Sequence, residues 1–319
     1  MKVNIISRIV SLILVASVSF SAYAAPKKSK RKAVAPINPI ASSIIVDANT
    51  GEILHFENAD KLIFPASLTK VMTLYLTFEA IENGKLRLNQ YIPISPEAAA
   101  MPAMRLGLKA GERVRVKDLI MAVALNSAND AARALGEAIS GSEDLFARKM
   151  TVRAKQLGMY NTTFKNASGW HHSEQKTNAM DLAKLAIAIK RDFPLYYPIF
   201  SETKFNYKGR TIYSHNHVTK QYAGAEGLKT GYTRPSGFNL VTSATKNGRK
   251  LIGVVTGGRS ARERDLKMMA LLDKHFGVTS QVMQSQKSYK KKALASKSTK
   301  SVKAKSKRKI SRKAKRTTA

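Results

Sequence analysis

Short apolar runs near both ends of the central part of the chain have the spacing of β-strands. Near the start, residues 43–47 and 52–56 flank a turn that closes with Gly51, and this pattern predicts a β-hairpin. Near the end, three further runs are strand-like, and an Asn-Gly pair joins the second run to the third. These runs are residues 227–233, 237–245 and 251–257. Together the runs predict about five strands, mostly antiparallel.

Between these strands, apolar positions recur with helical spacing. The strongest signal is the run from Leu68 to Ile81, which is apolar on nearly every side and predicts a buried helix that ends near Gly84. Further helices are predicted at residues 116–125, 131–139, 142–157 and 181–189, and at 261–276 after the last strand. We expect Ser142 and Asp181 to cap two of these helices.

The order of these elements predicts an α/β (α+β) fold. We expect a sheet of about five strands whose first and last strands meet, flanked by helices, with a mostly helical lobe inserted between the two groups of strands. A functional site would lie at the seam.

The two ends of the chain differ from this central part. Residues 1–24 have a basic start, an apolar stretch and small residues at the end, which predicts a secretory signal cleaved after Ala24. The apolar stretch is shorter than the ~20 residues that span a bilayer, so cleavage is favoured over a membrane anchor. We expect a basic disordered linker at residues 25–41, the folded domain at 42–277 and a Lys-rich disordered tail at 278–319.

Most of the formal net charge of +34 lies in those ends. Residues 287–316 hold fifteen Lys and Arg with no Asp or Glu, and residues 27–32 hold five more, so the folded part is only moderately basic. A Lys-rich tail predicts a polyanionic partner. Because we expect export, an anionic membrane or a wall polymer is favoured over nucleic acid as that partner.

Metal and thiol chemistry find little support in the sequence. The chain has no cysteine, which excludes disulfides, zinc thiolates and a cysteine nucleophile. His171 and His172 are the candidate metal ligands, but adjacent residues do not share a helix face and no third ligand stands at a usual spacing. We therefore expect no metal site.

The clearest chemical signal is Ser67 followed three residues later by Lys70, at the start of the predicted buried helix. Residues three apart share one helix face. A serine hydroxyl needs a base to become a nucleophile, and a lysine can serve when burial or a second cation lowers its pKa. The first helical turn also offers free backbone N–H groups to an oxyanion. An isolated S-x-x-K occurs often by chance, with Ser67 as a mere cap and Lys70 in solvent.

Two further motifs change this balance. Ser127 and Asn129 form S-x-N after an apolar segment, and residues 229–231 form K-T-G in a predicted strand. The ordered trio S-x-x-K, S-x-N and K-T-G is the known signature of penicillin-binding proteins and class A β-lactamases. Three motifs in order, each in a suitable element, are far more specific than one.

Over residues 42–277 the chain resembles the serine D-alanyl-D-alanine carboxypeptidases, the low-molecular-mass penicillin-binding proteins of peptidase family S11. The resemblance rests on P-A-S-L-T-K at 65–70, N-D-A-A at 129–132, G-L-K-T-G-Y-T at 227–233 and G-F-N-L-V at 237–241. It implies a penicillin-binding hydrolase, without a cofactor, that removes the terminal D-alanine from peptidoglycan stem pentapeptides in the periplasm or cell envelope. β-Lactams would be covalent inhibitors.

The resemblance also implies catalytic and binding roles for the residues of the motifs. Ser67 would attack the peptide carbonyl and form an acyl-enzyme, Lys70 would take the hydroxyl proton, and Ser127 would relay a proton to the leaving D-alanine. Asn129 would hydrogen-bond the substrate backbone. Lys229 would steer the substrate carboxylate and help to keep Lys70 neutral, since two neighbouring ammonium groups repel.

The remaining implied roles belong to the K-T-G strand and the last helix. Thr230 would bind the substrate carboxylate, and Gly231 belongs to the same substrate-binding strand. The backbone N–H groups of Ser67 and Tyr232 would form the oxyanion hole. Arg264 would help to hold the carboxylate, with Arg262 as a rival and a solvated surface charge as the alternative.

The chain departs from the family pattern in two places. The predicted fold is followed almost at once by Lys, Ser and Ala repeats rather than by a second domain and an amphipathic anchoring helix, and this tail lacks the apolar stripe of an interfacial helix. Residues 101–104 near the expected cleft are not the serine-containing version of relatives, which leaves substrate preference open.

Two alternative functions remain open at this point. Glu174 and Asn178 have the E-x-x-x-N spacing of the class A β-lactamases, which use a glutamate to activate the deacylating water. The other alternative is a non-catalytic basic module that binds the cell envelope, although every residue of the trio is present.

Overall fold

The computed structural model describes residues 39–277. The predicted signal segment, nearly all of the linker and the Lys-rich tail lie outside the described residues. Nine strands are present within residues 39–277: β1 (Ser42–Asp47), β2 (Ile53–Glu57), β3 (Tyr91–Pro93), β4 (Arg113–Arg115), β5 (Lys204–Tyr207), β6 (Arg210–Tyr213), β7 (Ala225–Thr233), β8 (Gly237–Lys246) and β9 (Arg249–Gly258).

The same part of the chain forms eight α-helices. They are α1 (Lys70–Glu82), α2 (Pro96–Ala99), α3 (Val116–Met121), α4 (Asn129–Ser140), α5 (Glu143–Gln156), α6 (Ala179–Asp192), α7 (His217–Gln221) and α8 (Ala261–Phe276). No helix within these residues has the length and hydrophobicity to cross a bilayer.

The five long strands form one antiparallel sheet in the order β2-β1-β9-β8-β7. The first and last strands meet, because β1 pairs with β9 from Ser42 opposite Thr256 to Asp47 opposite Leu251. The predicted fold class is confirmed. Two small two-stranded sheets, β3 with β4 and β5 with β6, were not predicted, since three or four residues carry too little pattern to be recognised.

Alternating side chains of the sheet enter two separate cores. Ile44 and Val46 join the larger core around α1, whereas Ile45 joins the smaller core beneath α8. Val254 and Val255 divide in the same way. Helices therefore cover both faces of the sheet, and β7, one of its two edge strands, lies beside the start of α1.

Helix α1 is buried on nearly every side, as its sequence predicts. Its regular part begins at Lys70, and Ser67 lies in a 3-10 turn, Ala66–Thr69, that leads into it. The structure corrects one predicted cap. Asn178, not Asp181, caps α6, because the Asn178 side chain accepts a hydrogen bond from the Asp181 N–H at 2.8 Å. The Asp181 carboxylate instead accepts a hydrogen bond from the Thr162 hydroxyl.

Candidate active site

The Ser67 hydroxyl and the Lys70 amine meet at the start of α1. Lys70 Nζ lies 3.2 Å from Ser67 Oγ, and the Lys70 side chain is completely buried. The 3-10 turn before the helix keeps the two residues on one face, which brings a hydroxyl and an amine close together through local structure.

Two distant segments complete the surroundings of the Lys70 amine. Lys70 Nζ donates to Asn129 Oδ1 at 2.7 Å and to the Ser168 carbonyl at 2.5 Å. Both oxygens can only accept, whereas the Ser67 hydroxyl can donate. A neutral amine has two N–H groups and one lone pair, so its lone pair is left for the Ser67 proton. The three oxygens accommodate an ammonium with three N–H groups as well as a neutral amine, and only the neutral amine can take the Ser67 proton.

The electrostatic surroundings of Lys70 favour the same state. Burial lowers its pKa well below the usual lysine value, and the positive charge of Lys229 lowers it further. The carboxylates of Asp130 and Glu143 oppose this shift. The larger effect is burial, because an ammonium ion loses its hydration in the core.

Ser127 lies near Ser67, after an irregular helix end. After α3 the chain makes a π-helical turn, Ala122–Asn126, and Ser127 follows in the left-handed region with φ 63°. Ser127 is 5% exposed, and its hydroxyl has no hydrogen-bond partner among the described residues. A buried hydroxyl without a partner is unusual in a folded protein.

Asn129 links the Lys70 amine to the loop at residues 101–104. Besides accepting from Lys70, its side chain donates to the Pro102 carbonyl at 2.9 Å, and its backbone N–H donates to the Met104 carbonyl at 2.7 Å. The sequence-based expectation was a contact with substrate, whereas in the structure the amide already links the Lys70 amine to the loop at residues 101–104.

The K-T-G strand passes close to the start of α1. A Cβ atom on Gly231 would lie 3.2 Å from the backbone nitrogens of both Ser67 and Leu68, so a side chain at this position would push the strand away. Lys229 is 2% exposed and donates to the Thr230 carbonyl at 3.0 Å. Burial and the neighbouring Arg264 lower the pKa of Lys229 to about 7.

Arg264 is a buried cation rather than a solvated surface charge. It is 3% exposed, its guanidinium binds Asp265 at 2.7 Å, and its Nη1 donates to the Asn239 carbonyl at 3.1 Å. Arg262, the rival, is exposed on the same helix.

A cavity of about 350 Å³ brings these groups together. Seven of the predicted residues line it, namely Ser67, Ser127, Asn129, Thr230, Gly231, Tyr232 and Arg264, while Lys70 and Lys229 are buried behind its wall. The other lining residues are Ala103, Met104, Gly169, Trp170, His215, Thr233, Phe238 and Ala261.

Comparison with known proteins shows the family of this chain. The family model of the D-alanyl-D-alanine carboxypeptidases, peptidase S11, matches residues 30–260. The D-alanyl-D-alanine carboxypeptidase DacF of Bacillus subtilis is 33% identical over 83% of this chain and 69% of its own length. DacA of Escherichia coli is 35% identical over 72% of this chain and 59% of its own length. The structure of penicillin binding protein 5 from Haemophilus influenzae matches with a TM-score of 0.72 and 33% identity, over 76% of this chain and 73% of that one.

The chain belongs to the D-alanyl-D-alanine carboxypeptidase family. Its fold, family and enzyme class, a penicillin-binding serine peptidase, are therefore as the sequence predicts. The chain spans 59 to 69% of the length of these two curated carboxypeptidases.

Glu174, the glutamate that the β-lactamase alternative requires, does not lie at the Ser67 cavity. The Glu174 side chain is 67% exposed, pairs with Lys165 at 3.1 Å and is not among the residues that line the carboxypeptidase cavity. Asn178, the other half of that motif, is the cap of α6. The alternative functions are not favoured by the comparisons with this family.

Sequence analysis missed two side chains at the mouth of this carboxypeptidase cavity. His215 lies between β6 and α7, a region where no element was predicted, and no motif marks it. Trp170 also lines the cavity and is 50% exposed. The sequence marked it only as the single tryptophan of the chain. His171, once a metal candidate, instead packs its ring against Phe64 with centroids 4.7 Å apart.

Proposed function

We propose that this chain removes the terminal D-alanine from peptidoglycan stem pentapeptides through an acyl-enzyme on Ser67. The observation that carries the proposal is the position of Lys70 Nζ, 3.2 Å from Ser67 Oγ and bound on its other sides by two oxygens that only accept. This arrangement places a candidate base beside the serine, and burial lowers the pKa of that base.

Acylation begins when the Ser67 oxygen attacks the carbonyl carbon of the penultimate D-alanine and its proton passes to Lys70. The backbone N–H groups of Ser67 and Tyr232 stabilise the oxyanion. The peptide bond then breaks, and Ser127 donates its proton to the nitrogen of the leaving D-alanine while it takes up the proton that Lys70 received from Ser67. Water hydrolyses the resulting ester and frees Ser67.

The substrate's terminal carboxylate is held at the opposite wall of the cavity. Thr230 supplies a hydroxyl, Gly231 lets the strand approach Ser67, and Lys229 and Arg264 supply positive potential. Asn129 positions Lys70 and contacts the substrate backbone. A β-lactam enters the same cavity and acylates Ser67, and without a deacylating glutamate the adduct persists.

The site of action follows from the substrate. Enzymes of this family act on peptidoglycan in the periplasm or cell envelope. We infer that residues 1–24 direct export and are removed after Ala24, that residues 42–277 form the catalytic domain, and that the basic tail binds an anionic membrane or wall polymer. N-terminal sequencing of protein from the envelope fraction should begin at Ala25, whereas an intact Met1 in the membrane would indicate an uncleaved anchor.

Mass spectrometry of the purified protein tests the chemistry. With a penicillin, we expect a long-lived adduct on Ser67, and with an acyl-D-Ala-D-Ala peptide, release of D-alanine. Ser67→Ala should abolish both, and Lys70→Ala should slow acylation by roughly 10²- to 10⁴-fold while the protein stays folded.

Glu174→Ala is the matched control for the β-lactamase alternative, and it should change neither reaction. Fast release of hydrolysed penicillin that disappears in Glu174→Ala would reassign the protein to the β-lactamases. A correctly folded protein that forms no adduct and releases no D-alanine would leave only the envelope-binding module.

A further inference from the structure

The loop of residues 166–170, here called the 166–170 loop, lies across the start of α1. Its Ala167 carbonyl accepts a hydrogen bond from Thr73 Oγ1 at 2.6 Å, and its Ser168 carbonyl accepts one from Lys70 Nζ at 2.5 Å. The position of this backbone therefore decides where the Lys70 amine is held and how its lone pair is directed.

Glu143 fixes the 166–170 loop from the far side. It is the first residue of α5, its Oε1 accepts the Ala167 N–H at 3.1 Å, and its Oε2 pairs with Arg133 at 3.1 Å. The Glu143 side chain is 13% exposed. Its carboxylate is thus held between a cation and the backbone of the loop, and neither of these contacts belongs to the three motifs.

Glu137 offers an internal comparison. It pairs with the same Arg133 at 2.7 Å and accepts from Ser95 Oγ at 2.6 Å. The Glu137 carboxylate thus binds Arg133 and Ser95, whereas the Glu143 carboxylate binds Arg133 and the 166–170 loop. The two glutamates therefore separate the effect of the ion pair from the effect of the loop.

Glu143 also takes part in the electrostatics of Lys70. The charged groups that bear on Lys70 are Lys229, which lowers its pKa, and Asp130 and Glu143, which raise it. Burial raises the pKa of Glu143 itself, opposed by the Ala167 N–H and by Arg133 and assisted by Glu137 and Asp144. The negative charge of Glu143 therefore moderates the shift that the buried Lys70 undergoes.

We propose that Glu143 is a positioning residue for Lys70, which fixes the backbone that holds the Lys70 amine. The inference rests on the proposed role of Lys70 as the base. Glu143 does not touch the substrate and acts only through the Ala167 and Ser168 backbone and through its field.

Two variants separate the contact from the charge. Glu143→Gln keeps an oxygen for the Ala167 N–H but removes the negative charge, so the pKa of Lys70 should fall. Because the neutral amine is the active form, the acid limb of the pH profile for Ser67 acylation should then move to lower pH. Glu143→Ala also loses the contact, and its plateau rate should drop on the order of 10- to 100-fold.

The measurement is the second-order rate of penicillin acylation of the full-length protein across pH, with thermal unfolding as a check of the fold. Glu137→Gln is the matched control and should leave both the limb and the plateau at their wild-type positions. If the acid limb of the pH profile for Glu143→Gln stays at its wild-type position, the inference is overturned. It is also overturned if Glu137→Gln lowers the plateau rate of acylation as much as Glu143→Ala does.

The same experiment distinguishes this inference from the proposed function. A wild-type protein that is not acylated at Ser67 refutes the function and the inference together. Normal wild-type acylation with wild-type behaviour in both Glu143 variants refutes the inference alone. If Glu143→Ala does not fold, the limb of Glu143→Gln still decides the question.

Discussion

Lys229 is a lysine whose side chain the fold keeps almost entirely from water. Its pKa is lowered from 10.5 to about 7, first by burial and then by Arg264. The unfolded chain therefore binds this proton more tightly than the folded chain. As pH falls from 10.5 towards 7, the folded state loses stability through this group, and the loss is complete below the folded pKa.

We therefore expect Lys229→Met to stabilise the protein while it abolishes efficient turnover. The gain should be roughly 1 to 4 kcal/mol at neutral or lower pH, because an apolar side chain of similar size avoids the cost of the buried amine. This gain in stability should shrink towards zero as pH approaches 10.5, the pKa of the lysine in the unfolded chain. Thermal unfolding at about pH 6, 8 and 10 measures the gain in stability and its dependence on pH.

Lys61→Met is the control for the loss of a lysine, since Lys61 is exposed. It should change stability by less than about 0.5 kcal/mol at every pH. A gain for Lys229→Met that does not depend on pH, or a loss of stability, would contradict the assignment of Lys229 as a buried amine with a lowered pKa.

The 166–170 loop is the connecting segment that binds the Lys70 amine, through the Ser168 carbonyl. Gly169 in this loop has φ 79°, and a Cβ atom there would lie 1.8 Å from the Ala66 carbonyl oxygen. The loop and the Ser67 turn are in backbone contact at this point, which leaves no space for any side chain. Glycine is required by the close approach as well as by its backbone angle.

Gly169→Ala should therefore both destabilise the protein and slow acylation. We expect a loss of roughly 2 kcal/mol or more from the clash and the left-handed angle, and a lower acylation rate because the Ser168 carbonyl moves away from Lys70. Gly158→Ala is the matched control. Gly158 has a similar φ of 75°, and the nearest atom to an added Cβ is Lys184 Nζ at 3.9 Å.

The Gly158→Ala protein should lose only about 1 kcal/mol of stability and keep the wild-type acylation rate. It has the same left-handed backbone angle as Gly169→Ala but no steric clash. Unfolding in denaturant and the rate of penicillin labelling are the two measurements. Equal effects of the two substitutions would mean that the contact between the 166–170 loop and the Ser67 turn does not hold the catalytic lysine.

At the scale of the whole molecule, charge is divided unevenly between the described domain and the ends of the chain. Deletion of residues 287–319 removes fifteen positive charges and no part of the described site. We expect this deletion to release the protein from anionic vesicles or isolated sacculi and to leave turnover of a small peptide unchanged. Co-sedimentation at low and high salt measures the binding.

Attachment through the tail should weaken steeply with ionic strength, because it depends on exposed charges. Vesicles of neutral lipid are the control and should not bind the full-length protein. Binding that persists in high salt would indicate an apolar contribution, and a loss of peptide turnover on deletion would indicate that the tail supports the catalytic domain.

Much of the fold was predictable because its long elements carry clear periodicity. The strands of the main sheet, the buried helix after Ser67 and the last helix all lie where the apolar pattern places them. Elements of three to five residues, such as β3, β4 and α7, were missed, because so few positions cannot show a period. Asn178 was also missed as a cap, since Asp181 is an equally good capping residue by type.

By itself, the sequence determined the pairing of Ser67 with Lys70, because three residues of one helical turn fix that distance locally. It also determined the order of the three motifs and, by their match to a known signature, the family. Only the tertiary structure decided that the pKa of Lys70 is lowered and where its amine is held, since these depend on burial, on Lys229 and on the bonds to Asn129 and Ser168. These residues come from distant parts of the chain, and no local pattern records which of them the packing will bring together.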